Sequence, residues 1–172
     1  GRSSLECVYK AVAPERGNEQ EPVRMKEDRM ILQTGGAVSK FYSYYNFAKD
    51  SLLKADPNNA LKAVEHKNGT AACLYTGYPE AGRLTLTDAV ASTYYTYEDK
   101  VPQIKWTIGD QTREILGYKC RRADCDLYGR HFTAWFTDEI PVASGPWKLQ
   151  GLPGLIMAAA DDEGLYSFEI IG

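Results

Sequence analysis

The segment His131-Phe132-Thr133-Ala134-Trp135-Phe136-Thr137 decides the fold class. Phe132, Ala134 and Phe136 recur at every second position, the period of a strand with one face in a core. His131, Thr133, Trp135 and Thr137 then share the other face. Working outward, the same period recurs in both directions. Met30–Gln33 and Val38–Tyr45 flank Gly35-Gly36, a pair that accepts positive φ and predicts a hairpin. Thr70–Tyr78 reads as a strand closed by Pro79, Arg83–Thr87 places Leu84 and Leu86 on one face, and Thr93–Tyr97 is almost purely Thr and Tyr. Ile104, Trp106 and Ile108 share a face, and Gly109-Asp110-Gln111 predicts a turn before Glu114–Arg122. Leu155–Ala160 and Leu165–Ile170 flank a four-residue loop, Asp161-Asp162-Glu163-Gly164. Phe47, Leu52, Leu53 and Leu61 have helical spacing interrupted at Asp56-Pro57-Asn58-Asn59. The expectation is a mainly β chain, with a curved antiparallel sheet forming an open bowl or half-barrel and one or two short helices.

The 172 residues are read as a single β domain, 1–172, with residues 1–4 disordered or derived from a tag. Hydrophobic residues make up 44% and charged residues 25%, a soluble composition without an apolar run long enough for a membrane span. A net charge of −3 gives no electrostatic reason to bind nucleic acid. The densest basic cluster, Lys119, Arg121 and Arg122, is diluted by Asp124 and Asp126. Four cysteines, Cys7, Cys73, Cys120 and Cys125, are an even set that suits disulfides in an oxidising compartment. The odd separation of Cys120 and Cys125 allows them to pair only across a turn, which Ala123–Gly129 can supply. Their spacing is too loose for an ordinary zinc pair, and the chain implies no metal site and no cofactor.

Nor does a catalytic motif organise the two histidines, His66 and His131. Asp138-Glu139 reads as exposed charge at a strand end, and Asn68-Gly69-Thr70 as a turn in preference to a glycosylation acceptor. Trp135 is more informative, because it stands with His131 and Thr133 on the polar face. That face either binds a ligand or is covered. Tyr (12) outnumbers Phe (5). Tyr42, Tyr44, Tyr94, Tyr95 and Tyr97 alternate with Ser and Thr and read as sheet surface, which leaves Tyr128 as the tyrosine suited to a ligand. In Gly151-Leu152-Pro153-Gly154-Leu155-Ile156, Pro153 and Gly154 predict a type II turn with a structural role.

The runs Gly117–Ala123, Gly129-Arg130, Ala134–Thr137, Glu139–Pro141, Gly145–Lys148 and Gly151–Ile156 resemble the GLPGLI family of secreted Bacteroidetes proteins. That resemblance implies export to the periplasm or cell surface and carries no established activity. It extends more distantly to the bowl-like β domain that precedes the catalytic part of a bacterial peptide N-glycanase, which implies a glycan-facing accessory role. Leu127-Tyr128 stands where the family commonly has a Phe-Arg pair, removing a positive charge from the candidate site. The leading expectation is non-catalytic binding of a carbohydrate or glycopeptide through Trp135, Arg130, His131 and Tyr128. A lipid or lipoprotein carrier would instead line its face with Leu and Ile. A hydrolase would bring His131 to a carboxylate in a deep pocket, and a partner in envelope assembly would expose an edge strand.

Overall fold

The computed structural model describes residues 4–15, 20, 22–56, 58, 69–90 and 93–172. The chain is mainly β. In chain order the described residues form β1 (Leu5–Pro14), β2 (Met25–Gly35), β3 (Val38–Ser43), α1 (Tyr44–Ala55), β4 (Cys73–Thr76), β5 (Arg83–Val90), β6 (Thr93–Lys100), β7 (Thr107–Ile115), β8 (Tyr118–Leu127), β9 (Arg130–Thr137), β10 (Leu155–Asp161) and β11 (Ser167–Ile170). The sheet is antiparallel and open. Among the described residues no helix is long and apolar enough to cross a membrane. His66, Leu61, Asn68 and the first three residues lie outside the described set, and with them any second helix.

Two compact units divide the chain: Gly1–Glu6 with Asp28–Lys100, and Cys7–Glu27 with Val101–Gly172. In the first, the strand order is β6-β5-β4-β3-β2. Leu32, Phe41, Leu74 and Leu86 stand opposite one another across four strands and form its apolar row. The β2–β3 turn sits at Gly36-Ala37, one residue later than expected, because Gly35 pairs with Val38 and only Gly36 has positive φ (60°). Helix α1 begins at Ser43, whose Oγ accepts from the Asn46 N–H at 3.3 Å, and none of its residues is buried. The same Oγ donates to buried Asp28, whose other oxygen accepts from the Thr70 N–H. Tyr44 is therefore helical and Tyr42 buried, which corrects their assignment to sheet surface, whereas Tyr94, Tyr95 and Tyr97 are exposed as expected. The Thr70–Tyr78 strand shrinks to Cys73–Thr76.

The second unit orders its strands β1-β11-β10-β9-β8-β7. Phe132, Ala134 and Phe136 are fully buried, as their period requires, together with Leu149, Leu152, Leu155, Ile156 and Met157. Strand β1 alternates too, burying Cys7, Tyr9 and Ala11, and the Tyr9 hydroxyl donates to the Ile156 carbonyl at 2.7 Å. A bulge at Met157 shifts β10 between Ile156, opposite Phe136, and Ala158, opposite Trp135. Leu155–Ala159 are buried at consecutive positions, so this strand is covered on both faces.

Three local expectations change here. Gly109-Asp110-Gln111 is no turn but an irregularity inside β7, between Ile108, opposite Ala123, and Thr112, opposite Arg121. The turn comes later, at Leu116-Gly117, with φ of 49° and 80°. Gly154 lacks the positive φ of a type II turn. It is glycine because an added Cβ would lie 1.9 Å from the Thr137 carbonyl oxygen. Finally, Cys120 and Cys125 both lie in the uninterrupted strand β8, where an odd separation sends them to opposite faces. No turn brings them together; Cys73, Cys120 and Cys125 are free thiols, and Cys7, Cys120 and Cys125 are buried.

Candidate functional site

Hairpin β8–β9 positions the candidate site. Its two-residue turn, Tyr128-Gly129, has positive φ at both positions (51° and 73°), the geometry that closes tight hairpins. Leu127 then faces Arg130, and counting back sets Asp126 opposite His131, Asp124 opposite Thr133 and Arg122 opposite Trp135. Those six side chains share one face. The other face carries Cys125, Ala123, Phe132, Ala134 and Phe136 into the core.

Asp124 is the hub of the polar face. It accepts from the Thr133 hydroxyl at 2.7 Å and from Arg122 through two bonds, Nε at 2.9 Å and Nη2 at 3.1 Å. Arg122 also donates to Gln111 Oε1 at 2.9 Å. His131 bridges two carboxylates, with Nε2 3.1 Å from Asp124 and Nδ1 3.0 Å from Asp126. The Arg122 bonds hold the Asp124 carboxyl down at about 2, against some desolvation, with Thr133 and His131 adding to the effect. Bonds to Asp126 and then Asp124 raise the His131 imidazole. As an imidazolium it donates to both carboxylates. Beside this network the half-buried Trp135 ring lies under the Arg113 guanidinium, 5.6 Å from its centroid, and Arg113 reaches Glu169 at 3.3 Å.

Tyr128 and Arg130 fall elsewhere. Arg130 shares the Leu127 face and donates to Asp161 at 3.1 Å and Glu163 at 3.0 Å, its guanidinium 5.0 Å from the Tyr166 ring. Asp161 is itself fixed by the Leu165 and Tyr166 N–H groups, which closes the loop ahead of β11. Tyr128 is 57% exposed at the turn and meets Trp147 edge-on at 5.9 Å, with the Lys148 ammonium 5.0 Å from its ring. The four expected residues therefore separate into a pair on the polar face, Trp135 and His131, and a pair beyond it. Sequence reading missed Arg122, Asp124, Arg113, Trp147 and Lys148 as site residues. For Arg122 and Asp124 the signal was present, because reading Leu127-Tyr128-Gly129-Arg130 as a two-residue hairpin fixes their partners.

The Gly151–Ile156 motif adds no polar side chain to either group. Leu152, Leu155 and Ile156 are buried, the Leu155 N–H donates to the Ile140 carbonyl and the Ile156 N–H to that of Ser144. Gly145 likewise leaves no room for a Cβ, which would lie 2.7 Å from the Leu149 carbonyl oxygen. Asp138-Glu139 is an exposed turn whose Glu139 carboxylate accepts from the Lys119 N–H.

Residues 128–158 match a family model described as "Protein of unknown function (Porph_ging)", a Bacteroidetes family. The matched span runs from the Tyr128 turn through Trp135 and the glycine motif into β10. Among solved structures the chain is similar to PNGF-II, a peptide N-glycanase. One crystal form aligns with a TM-score of 0.65 at 13% identity, covering 97% of this chain and 27% of that one. A second gives 0.64 at 14% identity, covering 97% and 26%. The chain thus spans about a quarter of PNGF-II, and the likeness is one of fold. No curated protein matches.

Proposed function

We propose that this chain is an exported, non-catalytic binding domain for a carbohydrate or glycopeptide, read out by the Trp135 face of β8–β9. The observation that carries the reading is an indole in one row with Arg122, Asp124, Thr133 and His131, flanked by the Arg113 guanidinium. An aromatic plane beside fixed donors and acceptors suits a ligand with apolar ring faces and many hydroxyls. The fold shared with part of a peptide N-glycanase favours the same class.

The lipid-carrier and hydrolase readings fit less well. The apolar face of this hairpin is spent on the core, Phe132 and Phe136 being 1% exposed, so it offers no lining for a lipid. Both His131 nitrogens are engaged by carboxylates, and Thr133 donates to Asp124, not to the imidazole, so neither group is poised as base or nucleophile.

The test is titration of the domain with N-glycans and N-glycopeptides by calorimetry, with a lipid-extraction assay in parallel. Trp135→Ala is expected to weaken glycan binding at least about tenfold, while Trp135→Phe, which keeps a ring, loses less. Absence of glycan binding by the unaltered domain, or extraction of lipid in its place, overturns the ligand class. Recovery of the natively expressed protein in the cytoplasmic fraction overturns export.

A further inference from the structure

We propose that Tyr128, Trp147 and Lys148 form a second binding subsite, which takes a sugar ring bearing a carboxylate. Its ligand class rests on the reading of this chain as a glycan binder, and none of its side chains belongs to the Trp135 row of β8–β9. Backbone conformation singles the residues out. Among the described residues only three that are not glycine have positive φ, and two of them, Tyr128 at 51° and Trp147 at 54°, meet through their rings at 5.9 Å. The Tyr128-Gly129 turn has the geometry that favours asparagine or glycine at its first position. Trp147 is the first central residue of a turn closed by the Leu149 N–H, which donates to the Pro146 carbonyl at 3.1 Å, and positive φ there suits glycine as well. An aromatic side chain makes both turns harder to form.

Packing accounts for only one of the two rings. Trp147 is half-buried, 6.2 Å from the ring of buried Phe132, and its turn is anchored by Pro146 and Leu149, both fully buried. Tyr128 is 57% exposed, so burial returns little for its strain. Together the rings present apolar surface with a phenolic hydroxyl at its border. Lys148 supplies the charge. Its ammonium lies 5.0 Å from the Tyr128 centroid and 5.7 Å from that of Trp147, and it donates to the Tyr128 hydroxyl at 3.5 Å. Among the described residues Lys148 forms no ion pair, whereas Arg130, beside the same hairpin turn, is taken up by Asp161 and Glu163. An ammonium has three N–H donors, and one long bond leaves the others for a ligand oxygen. A neutral sugar would give that charge no anion, and an acidic peptide would bring the anion without the ring. A carboxylated sugar meets both halves of the subsite, ring against ring and carboxylate against Lys148.

Calorimetric titration of the whole chain with tetragalacturonate and with sialyllactose, two sources of a carboxylated ring, tests this. The controls are methyl-esterified tetragalacturonate, lactose and tetraglutamate. One or both acidic sugars should bind at least about tenfold more tightly than every control. Lys148→Gln, which removes the charge, should weaken that binding about tenfold, and so should Tyr128→Asn, which removes the ring while suiting the turn. Thermal unfolding of Tyr128→Asn should come no lower than that of the unaltered chain, which separates loss of the ring from loss of the fold. Tetraglutamate binding as tightly, acidic sugars binding no better than their neutral counterparts, or unchanged affinity in either variant overturns the subsite. Neutral N-glycans that fail to bind while the acidic sugar is still held overturn the Trp135 reading alone.

Discussion

The two compact units share an antiparallel architecture and differ in what stands behind their outermost strands. In the unit ending at β7, β9 and β10 are buried along their apolar positions, a cross-over segment from Ile140 to Gly154 packs Leu149 and Leu152 into the core, and Tyr9 is tied to Ile156. In the unit ending at β6, the helix buries none of its residues and the last strand is exposed along its length. The edges follow the same division. Strand β7 breaks its register at Gly109–Gln111, a device that discourages a partner. Strand β6 has no interruption. The irregular edge thus belongs to the unit whose neighbouring strands are buried along their apolar positions.

All three tryptophans, Trp106, Trp135 and Trp147, lie in the second unit, so their fluorescence reports on it while circular dichroism reports on both. The largest effect is expected from Gly154→Ala, where the new Cβ meets the Thr137 carbonyl and only backbone movement can relieve it. A loss of about 3 kcal/mol or more is expected in denaturant unfolding followed by tryptophan emission. A loss below about 1 kcal/mol would mean that β9 and β10 yield easily, and the contrast between the units would fail.

A smaller effect comes from pH. The Asp124 carboxyl is lowered from 3.8 to about 2 in the folded chain, chiefly by Arg122. Its contribution is therefore complete above the unfolded value and lost as pH falls from about 4 towards 2. His131 is raised above 6.5 by Asp126 and Asp124, so its contribution is present below that value and disappears as pH rises through the folded one. Tryptophan-monitored melting should weaken at both ends. Asp124→Asn should flatten the acid limb and His131→Gln the alkaline limb. Unaltered limbs in these variants would remove the network from the second unit's stability.

The smallest effect is expected at Tyr94→Ser, within about 0.5 kcal/mol in dilute protein, since the ring is exposed. Hydrogen exchange should likewise find β6 amides less protected than those of β9 and β10. Equal protection in dilute solution would erase the difference between the edges.

Much of this architecture was legible where a period of two coincided with one buried face. Phe132, Ala134 and Phe136 reach the core, α1 forms near its expected place, and the Asp161–Gly164 loop joins β10 to β11. Legibility failed where Gly or Asp has more than one use. Gly109-Asp110-Gln111 has the composition of a turn but serves inside a strand, and Leu116-Gly117 closes a hairpin with leucine in a conformation such residues rarely adopt. Tyr9, Cys7 and Ala11 did carry the alternation of β1, and it went unread. At the site, the face of Trp135 and His131 followed from β9 alone. Arg122 and Asp124 required the register of a second strand, which depends on placing one turn to the residue.

Gly154 finally bears on how far a family likeness reaches. The Gly151–Ile156 segment owes Gly154 to a carbonyl oxygen of β9, and its leucines and isoleucine face inward. It certifies how two strands meet. The residues that would choose a ligand, at positions 122, 124, 131, 133 and 135, project from the same hairpin without touching that certificate. In this chain the motif thus fixes how two strands meet and does not itself choose what the polar face of the hairpin would bind.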